Sequence, residues 1–401
     1  MTGVRTLVVV VLAAFLATPS AAHNVGESYL YLQIRSDAVS GRFEVALSDL
    51  NHTLGFEGTA DEITAENFEA RVDFLKSYYL DNVSILRGDQ ELRLQFTEHR
   101  LMNAHGGFAT LSFDLPQLDG DVPDILTFDY SVLLDEAHQH RGFLLVESNW
   151  ATGTFANENQ ISLVFERDDR RKDFELKTDG RWRGFVAVVG LGIEHIWEGI
   201  DHILFLVALL LPAVLRRDVE NGRREWRPVE RFTPAFVHVV KIVTAFTVAH
   251  SVTLSLAALG VIELPGALVE TVIAASIAIA AADLLVPIFR GRLWMVVVGF
   301  GLFHGFGFAG ALSEMGVLGE HKVLSLLAFN LGVEIGQVCI VAVLVPVLFL
   351  VRRPTLYRKV ALPAAAVFLI AVSGVWVAER AFGVDVPMYE SLPPAIQKFV
   401  P

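Results

Sequence analysis

The chain has 401 residues, 53% of them hydrophobic, and a mean hydropathy of +0.48. That is too apolar for an ordinary soluble protein, yet 19% of the residues are charged, so a soluble part joined to a membrane part is expected. The net charge of −13 argues against a nucleic-acid partner and suits attraction of cations, and the single cysteine, Cys339, excludes an internal disulfide framework and a thiolate metal site.

In chain order, residues 1–22 read as a secretory signal. Arg5 supplies the positive start, Leu7 to Leu16 the apolar core, and Ser20-Ala21-Ala22 the small residues for cleavage. Cleavage there leaves His23 as the new N-terminus. Residues 23–178 then read as an exported, mainly β domain. Strands are expected at 29–35, 43–47, 92–96, 109–113, 126–130, 143–146 and 161–165, several alternating apolar with polar residues and separated by Gly, Asp, Asn and Pro. Short strands in that number suggest a β-sandwich. Phe68, Val72, Leu75 and Tyr78 have helical spacing and predict an inserted helix over 65–79.

After a basic junction at 167–183 the chain becomes membrane-like. Apolar segments run near 185–215, 232–262, 266–289, 293–313, 323–351 and 357–378, each compatible with a span of ~20 residues. The expected class is therefore a polytopic α-helical membrane domain over 184–380, with about six spans, behind the β domain. The first segment carries Gly190, Gly192 and Gly199 and is expected to enter as an interfacial or broken helix. Arginines gather after the first span (Arg216, Arg217, Arg223, Arg224, Arg227, Arg231), after the third (Arg290, Arg292) and after the fifth (Arg352, Arg353, Arg358). By the positive-inside rule these connections are cytoplasmic, and the β domain and the tail 381–401 lie outside.

Polar residues stand out against that background. Gly192-Ile-Glu-His195-Ile-Trp-Glu198-Gly-Ile-Asp201-His202 runs straight into Ile203–Leu211. Ionisable groups at the entry to a span are costly and mark a cavity, a pathway or a partner. On a helix His195 and His202 stack on one face with Glu198 between them, and Asp201 joins an acidic stripe alongside. Imidazole with carboxylate suits zinc, nickel, cobalt, copper or iron. Counted from the nearest cytoplasmic arginine at ~1.5 Å per residue, His202, His250, His304 and Glu334 all lie roughly 18–28 Å deep. Asn330, Glu334 and Gln337 give the fifth span a polar face, and Ser276 shares a face of the third with Asp283. Each histidine has a blander reading as a hydrogen-bonding partner of a neighbouring helix. The glycines around His304 suit helix packing, and Lys241 suits snorkelling to the cytoplasmic interface.

These blocks resemble the HupE/UreJ family of bacterial membrane proteins. The resemblance rests on His195 followed at the family spacing by Asp201-His202, and on Phe246-Thr-Val-Ala-His250-Ser-Val-Thr253, Gly301-Leu-Phe-His304-Gly-Phe-Gly and Phe329-Asn330-Leu-Gly-Val-Glu334-Ile-Gly336-Gln337. It covers about residues 184–380. It implies nickel or cobalt uptake, association with hydrogenase or urease maturation, and a bacterial inner-membrane location. The chain departs from the better-studied branch in having Ile196, not Pro, after the first motif histidine, and in its large exported domain.

The expected function is transport of a divalent transition metal ion. His195, Glu198, Asp201 and His202 accept it, and His250, His304, Asn330 and Glu334 complete or continue the path. The exported domain offers His23 and the pair His138 and His140 as possible ligands for capture, with a periplasmic metal donor or the metalloenzyme maturation machinery as possible partner. No nucleotide-binding motif is present, so passage through a channel or coupling to an ion gradient is expected. An intramembrane metalloenzyme, a haem protein with His250 and His304 as axial ligands, and a non-transporting maturation accessory stay open as alternatives.

Overall fold

The computed structural model describes residues 26–54, 68–102, 107–137, 139–177, 180–220, 223–289, 293–315, 317–318 and 321–383. The expected signal segment, His23, His138 and most of the expected tail lie outside them. The chain divides into two compact units, residues 1–187 with 315–320, and residues 188–314 with 321–401.

The first unit is mainly β. Strands β1 (Glu27–Ile34) and β2 (Val39–Ala46) are followed by helices α1 (Leu47–Leu54) and α2 (Val72–Asn82). Eight strands follow, β3 (Val83–Arg87), β4 (Gln90–Leu92), β5 (Gln95–Met102), β6 (Phe108–Asp114), β7 (Ile125–Tyr130), β8 (Arg141–Asn149), β9 (Ile161–Phe165) and β10 (Arg171–Glu175). They form a six-stranded sheet in the order β5-β6-β2-β1-β8-β9 and a four-stranded sheet in the order β10-β7-β3-β4. The two sheets and α2 share one core. Leu30, Phe43 and Phe113 from the larger sheet meet Ile85, Phe128 and Tyr130 from the smaller and Leu75 and Tyr79 from α2, with Phe43 and Tyr79 stacked at 4.3 Å. β1 pairs with β8 in parallel, unlike the antiparallel rest of its sheet. It buries Leu30 and Leu32 on one face and Tyr29 and Tyr31 on the other, so its sequence reads as a nearly continuous apolar run.

Several expectations change. The segment 92–96 is not one strand: β4 ends at Leu92 in the smaller sheet and β5 starts at Gln95 in the larger, so the chain changes sheets at Arg93-Leu94. β3 and β10 are additional strands, and β10 carries no strand signal because its sequence, RKDFE, is mostly charged. It lies at a sheet edge, where charge discourages pairing with another chain. The inserted helix is present but shifted: it starts at Val72, after a turn at residues 70–71, and runs on to Asn82.

The second unit is helical. Its elements are α3 (Arg181–Glu198, which begins in the first unit), α4 (Ile200–Leu210), the hairpin β11 (Leu215–Glu220) and β12 (Arg223–Pro228), α5 (Phe232–Ala258), α6 (Gly266–Leu285), α7 (Leu293–His304), α8 (Ala309–Glu314), α9 (Lys322–Val351) and α10 (Leu362–Phe382). A π-helical turn, Tyr357–Ala361, leads into α10. Among the described residues four helices are long and apolar enough to cross a bilayer, 232–258, 266–285, 322–351 and 357–382. The first and fourth expected spans hold shorter apolar helices, Ile200–Leu210 and Leu293–Gly307. Both are interrupted beside a histidine, the first at Gly199 and the second at the 3₁₀ turn Gly305–Phe308.

Small residues set the helix crossings, as expected where apolar burial gives no drive between helices. A Cβ on Gly332 of α9 would stand 2.1 Å from the Val189 carbonyl oxygen of α3, and one on Gly192 of α3 would stand 2.2 Å from the Phe329 carbonyl oxygen of α9. A Cβ on Gly305 would stand 2.3 Å from the His250 carbonyl oxygen of α5. At the opposite ends the arginines hold the hairpin. Arg217 pairs with Asp283 of α6 at 3.3 Å and lies over the Trp226 ring. Arg352 donates to the Val229 carbonyl at 2.8 Å and Arg358 to the Trp226 carbonyl at 3.0 Å. The connections that follow the first and fifth expected spans therefore meet.

Candidate functional site

The site is built on the break between α3 and α4. His195 lies in the last turn of α3. Gly199 then leaves helical geometry, with φ −69° and ψ 98°, and α4 restarts with Asp201 and His202 in its first turn. Only glycine fits at the break, since a Cβ there would stand 2.5 Å from His202 Nδ1 and 2.8 Å from the His195 carbonyl oxygen. Asp201 Oδ1 accepts from the His202 backbone N–H at 2.9 Å and lies 3.0 Å from His202 Nδ1. The interruption turns His195 and His202 toward each other, with ring centroids 4.5 Å apart.

Two further histidines extend the pair into a row. His250 of α5 lies 6.4 Å from His195, and His304, the last residue of α7, lies 5.6 Å from His202, centroid to centroid. The ring contacts link His250 to His195, His195 to His202 and His202 to His304. Phenylalanines close around it: Phe308 and Phe329 at 3.9 and 5.4 Å from His195, and Phe205 and Phe246 at 5.3 and 5.1 Å from His304. Sequence reasoning misses this collar, because phenylalanine in an apolar helix carries no signal of its own. His202, His250 and His304 are buried. Ser276 Oγ of α6 lies 3.1 Å from His304 Nε2. The nitrogens His195 Nε2, His202 Nε2, both of His250 and His304 Nδ1 are buried without a hydrogen bond, and so is His202 Nδ1 despite its closeness to Asp201. Each such atom costs on the order of 1–3 kcal/mol, so a cluster of them calls for an explanation beyond packing. The rings form a row and not a cage: among the described residues no group of three or more His, Cys, Asp or Glu side chains is placed to hold one metal ion.

The other expected residues stand apart from the row. Glu198 is exposed; the break at Gly199 follows it directly, so it does not sit between the imidazoles. Asn330 donates to the Leu326 carbonyl at 2.7 Å, and Glu334 accepts from Thr244 Oγ1 of α5 at 2.5 Å. The Asn330 Oδ1 and the second carboxylate oxygen of Glu334, Oε2, are buried without a partner. Gln337, one turn further on, accepts from Thr247 Oγ1 at 2.9 Å.

In the first unit His140 faces the interior. Its Nε2 lies 2.9 Å from Ser28 Oγ, which accepts from the Tyr130 hydroxyl at 2.8 Å, and its Nδ1 lies 3.9 Å from Asp49 Oδ2. The series resembles a nucleophile, base and acid, but Ser28 is 0% exposed, so no substrate reaches it and the network is structural. Burial pushes the His140 imidazole down to about 4, against the weaker pull of Glu27. A depressed imidazole binds its proton mainly in the unfolded chain, so the domain is expected to lose up to ~3 kcal/mol as the pH falls from ~6.5 to ~4. Hydrogen exchange of β1 and β8 amides in the full-length protein will report this, and H140Q should flatten the dependence.

The family model described as HupE / UreJ protein matches residues 171–380, just over half of the chain. The chain belongs to the HupE/UreJ family. The matched span holds all four histidines of the row, the break at Gly199 and the glycine crossings around them. No curated protein and no solved structure matches the chain.

Proposed function

We propose that this HupE/UreJ family member transports a divalent transition metal ion of the nickel, cobalt or copper class across the bacterial inner membrane, the ion being cargo and not a resident cofactor. The observation that carries the reading is the row of four histidines, three of them buried, that holds six buried nitrogens without a hydrogen bond inside an apolar helical core. Neutral imidazole is a strong ligand for these ions. A resident ion wants its ligands at ~2.0–2.1 Å around one point. Rings spaced 4.5 to 6.4 Å apart offer successive pairs instead, and conduction needs sites weak enough to leave. Asp201, 3.0 Å from His202 Nδ1, supplies compensating charge for the cation. Asn330 Oδ1 and Glu334 Oε2 are the further oxygens the ion could meet along the path. The exported domain captures the ion or receives it from a periplasmic donor, with His23 and His138 as its candidate ligands.

Titration of the purified full-length protein with nickel, cobalt, copper and zinc by calorimetry tests the reading. Saturable binding of at least one ion is expected. It should weaken as the pH falls through ~6.5, where an ordinary imidazole takes up its proton. Absence of binding for all four ions would overturn it. The orientation makes a separate prediction: a reporter fused after Arg224 should be cytoplasmic and one fused after Glu390 periplasmic, and the reverse labelling would invert the direction of entry.

A further inference from the structure

Two cavities in the helical unit share a wall. The smaller, of about 10 Å³, is bounded by His202, Gln337, Leu209 and Val243 among others; that is about the least space that holds one water. The larger, of about 550 Å³, is also bounded by Leu209 and Val243, and by Arg217, Trp226, His238 and Asp283. We propose that the larger cavity is the inner vestibule of the histidine row, and that Leu209 and Val243 form the apolar barrier between vestibule and row.

The helix registers support this placement. Leu209 follows His202 by seven residues on α4, and Val243 precedes His250 by seven on α5. Each therefore lies on the same face as its histidine, about 10 Å further along at ~1.5 Å per residue. Both are buried. The Thr247–Gln337 hydrogen bond belongs to the same step of the path, since Gln337 lines the small cavity. The vestibule itself lies at the arginine-rich hairpin. Its charges are pinned: Arg217 is paired with Asp283, and Asp283 Oδ1 accepts from the Ile288 and Phe289 N–H groups at 2.7 and 3.1 Å. A space of that size admits hydrated ions, whereas two aliphatic side chains exclude water, and apolar constrictions gate by dewetting. The proposal rests on the transport reading for its purpose, but the barrier is testable without any metal.

The test is labelling of the full-length protein in inside-out vesicles with diethyl pyrocarbonate, a water-borne reagent for neutral imidazole, with the modified residues read by mass spectrometry. In the wild type His238, which is exposed and lines the vestibule, should react readily and His202 slowly. L209A and V243A should each raise the His202 rate by about tenfold or more, as expected when a dewetted constriction is opened, and leave His238 unchanged. The conservative L209M should behave as wild type, and V243F should lower the His202 rate further, which keeps the test decisive if the alanine variants fold poorly. A wild-type His202 as reactive as His238, or a His202 rate indifferent to L209A, V243A and V243F, would overturn the barrier. If the labelling follows this pattern but no metal crosses the membrane, the vestibule stands and the transport reading fails.

Discussion

H202A should abolish metal uptake while the protein still inserts at normal abundance. His202 has two imidazole neighbours, His195 at 4.5 Å and His304 at 5.6 Å, and it bounds the small cavity. Its removal takes away the ring that neighbours both His195 and His304. Loss of a partner that merely orients a ligand typically costs 10–100-fold, so loss of the ligand should cost at least ~100-fold in uptake, and D201N should fall in the 10–100-fold range. Uptake through H202A equal to wild type, at matched abundance, would remove His202 from the path.

G332L should unfold the helical unit or lower its melting temperature sharply. The Gly332 position faces the Val189 carbonyl oxygen and the Gly192 Cα across the α3–α9 crossing, where even a Cβ would stand 2.1 and 2.9 Å away. A backbone carbonyl cannot rotate aside as a flexible side chain can, so α3 itself must move. Overpacking of this kind costs typically ~1–3 kcal/mol and occasionally more. Because α3 carries His195 three residues beyond Gly192, the same shift should displace the row and reduce uptake. G374A is the control: a Cβ at Gly374 of α10 meets nothing within 4 Å, so the change should leave stability within ~1 kcal/mol, with any gain coming from helix propensity. Thermal melts of the two variants in detergent give the comparison. Equal melting temperatures would show that the crossing is looser than the structure has it.

The residues that carry strong local signals are legible in the sequence. Apolar runs of ~20 residues mark the helical segments, and counting rise from the flanking arginines puts His202, His250 and His304 at one depth, where the structure gathers them with His195. What the sequence does not hold is the consequence of Gly199. An unbroken helix sets Glu198 between the two histidines; a helix that restarts at Ile200 leaves Glu198 exposed and turns the imidazoles together. The phenylalanine collar and the Ser276 contact to His304 depend on which helices pack side by side, and periodicity within one helix carries no such information. In the first unit the alternating strands are visible, β3 and the charged β10 are not, and the change of sheet at Arg93-Leu94 needs the partner strands of β4 and β5 to be known.

Uptake into proteoliposomes is the most direct measurement. The purified full-length protein would be reconstituted around a metal-sensitive dye and exposed to nickel, cobalt, copper and zinc in turn. The expected result is entry of at least one of these ions above the rate in protein-free liposomes, and its loss in H202A. Entry no faster than through protein-free liposomes for all four ions, with and without a proton or sodium gradient of either sign, would contradict a transport role.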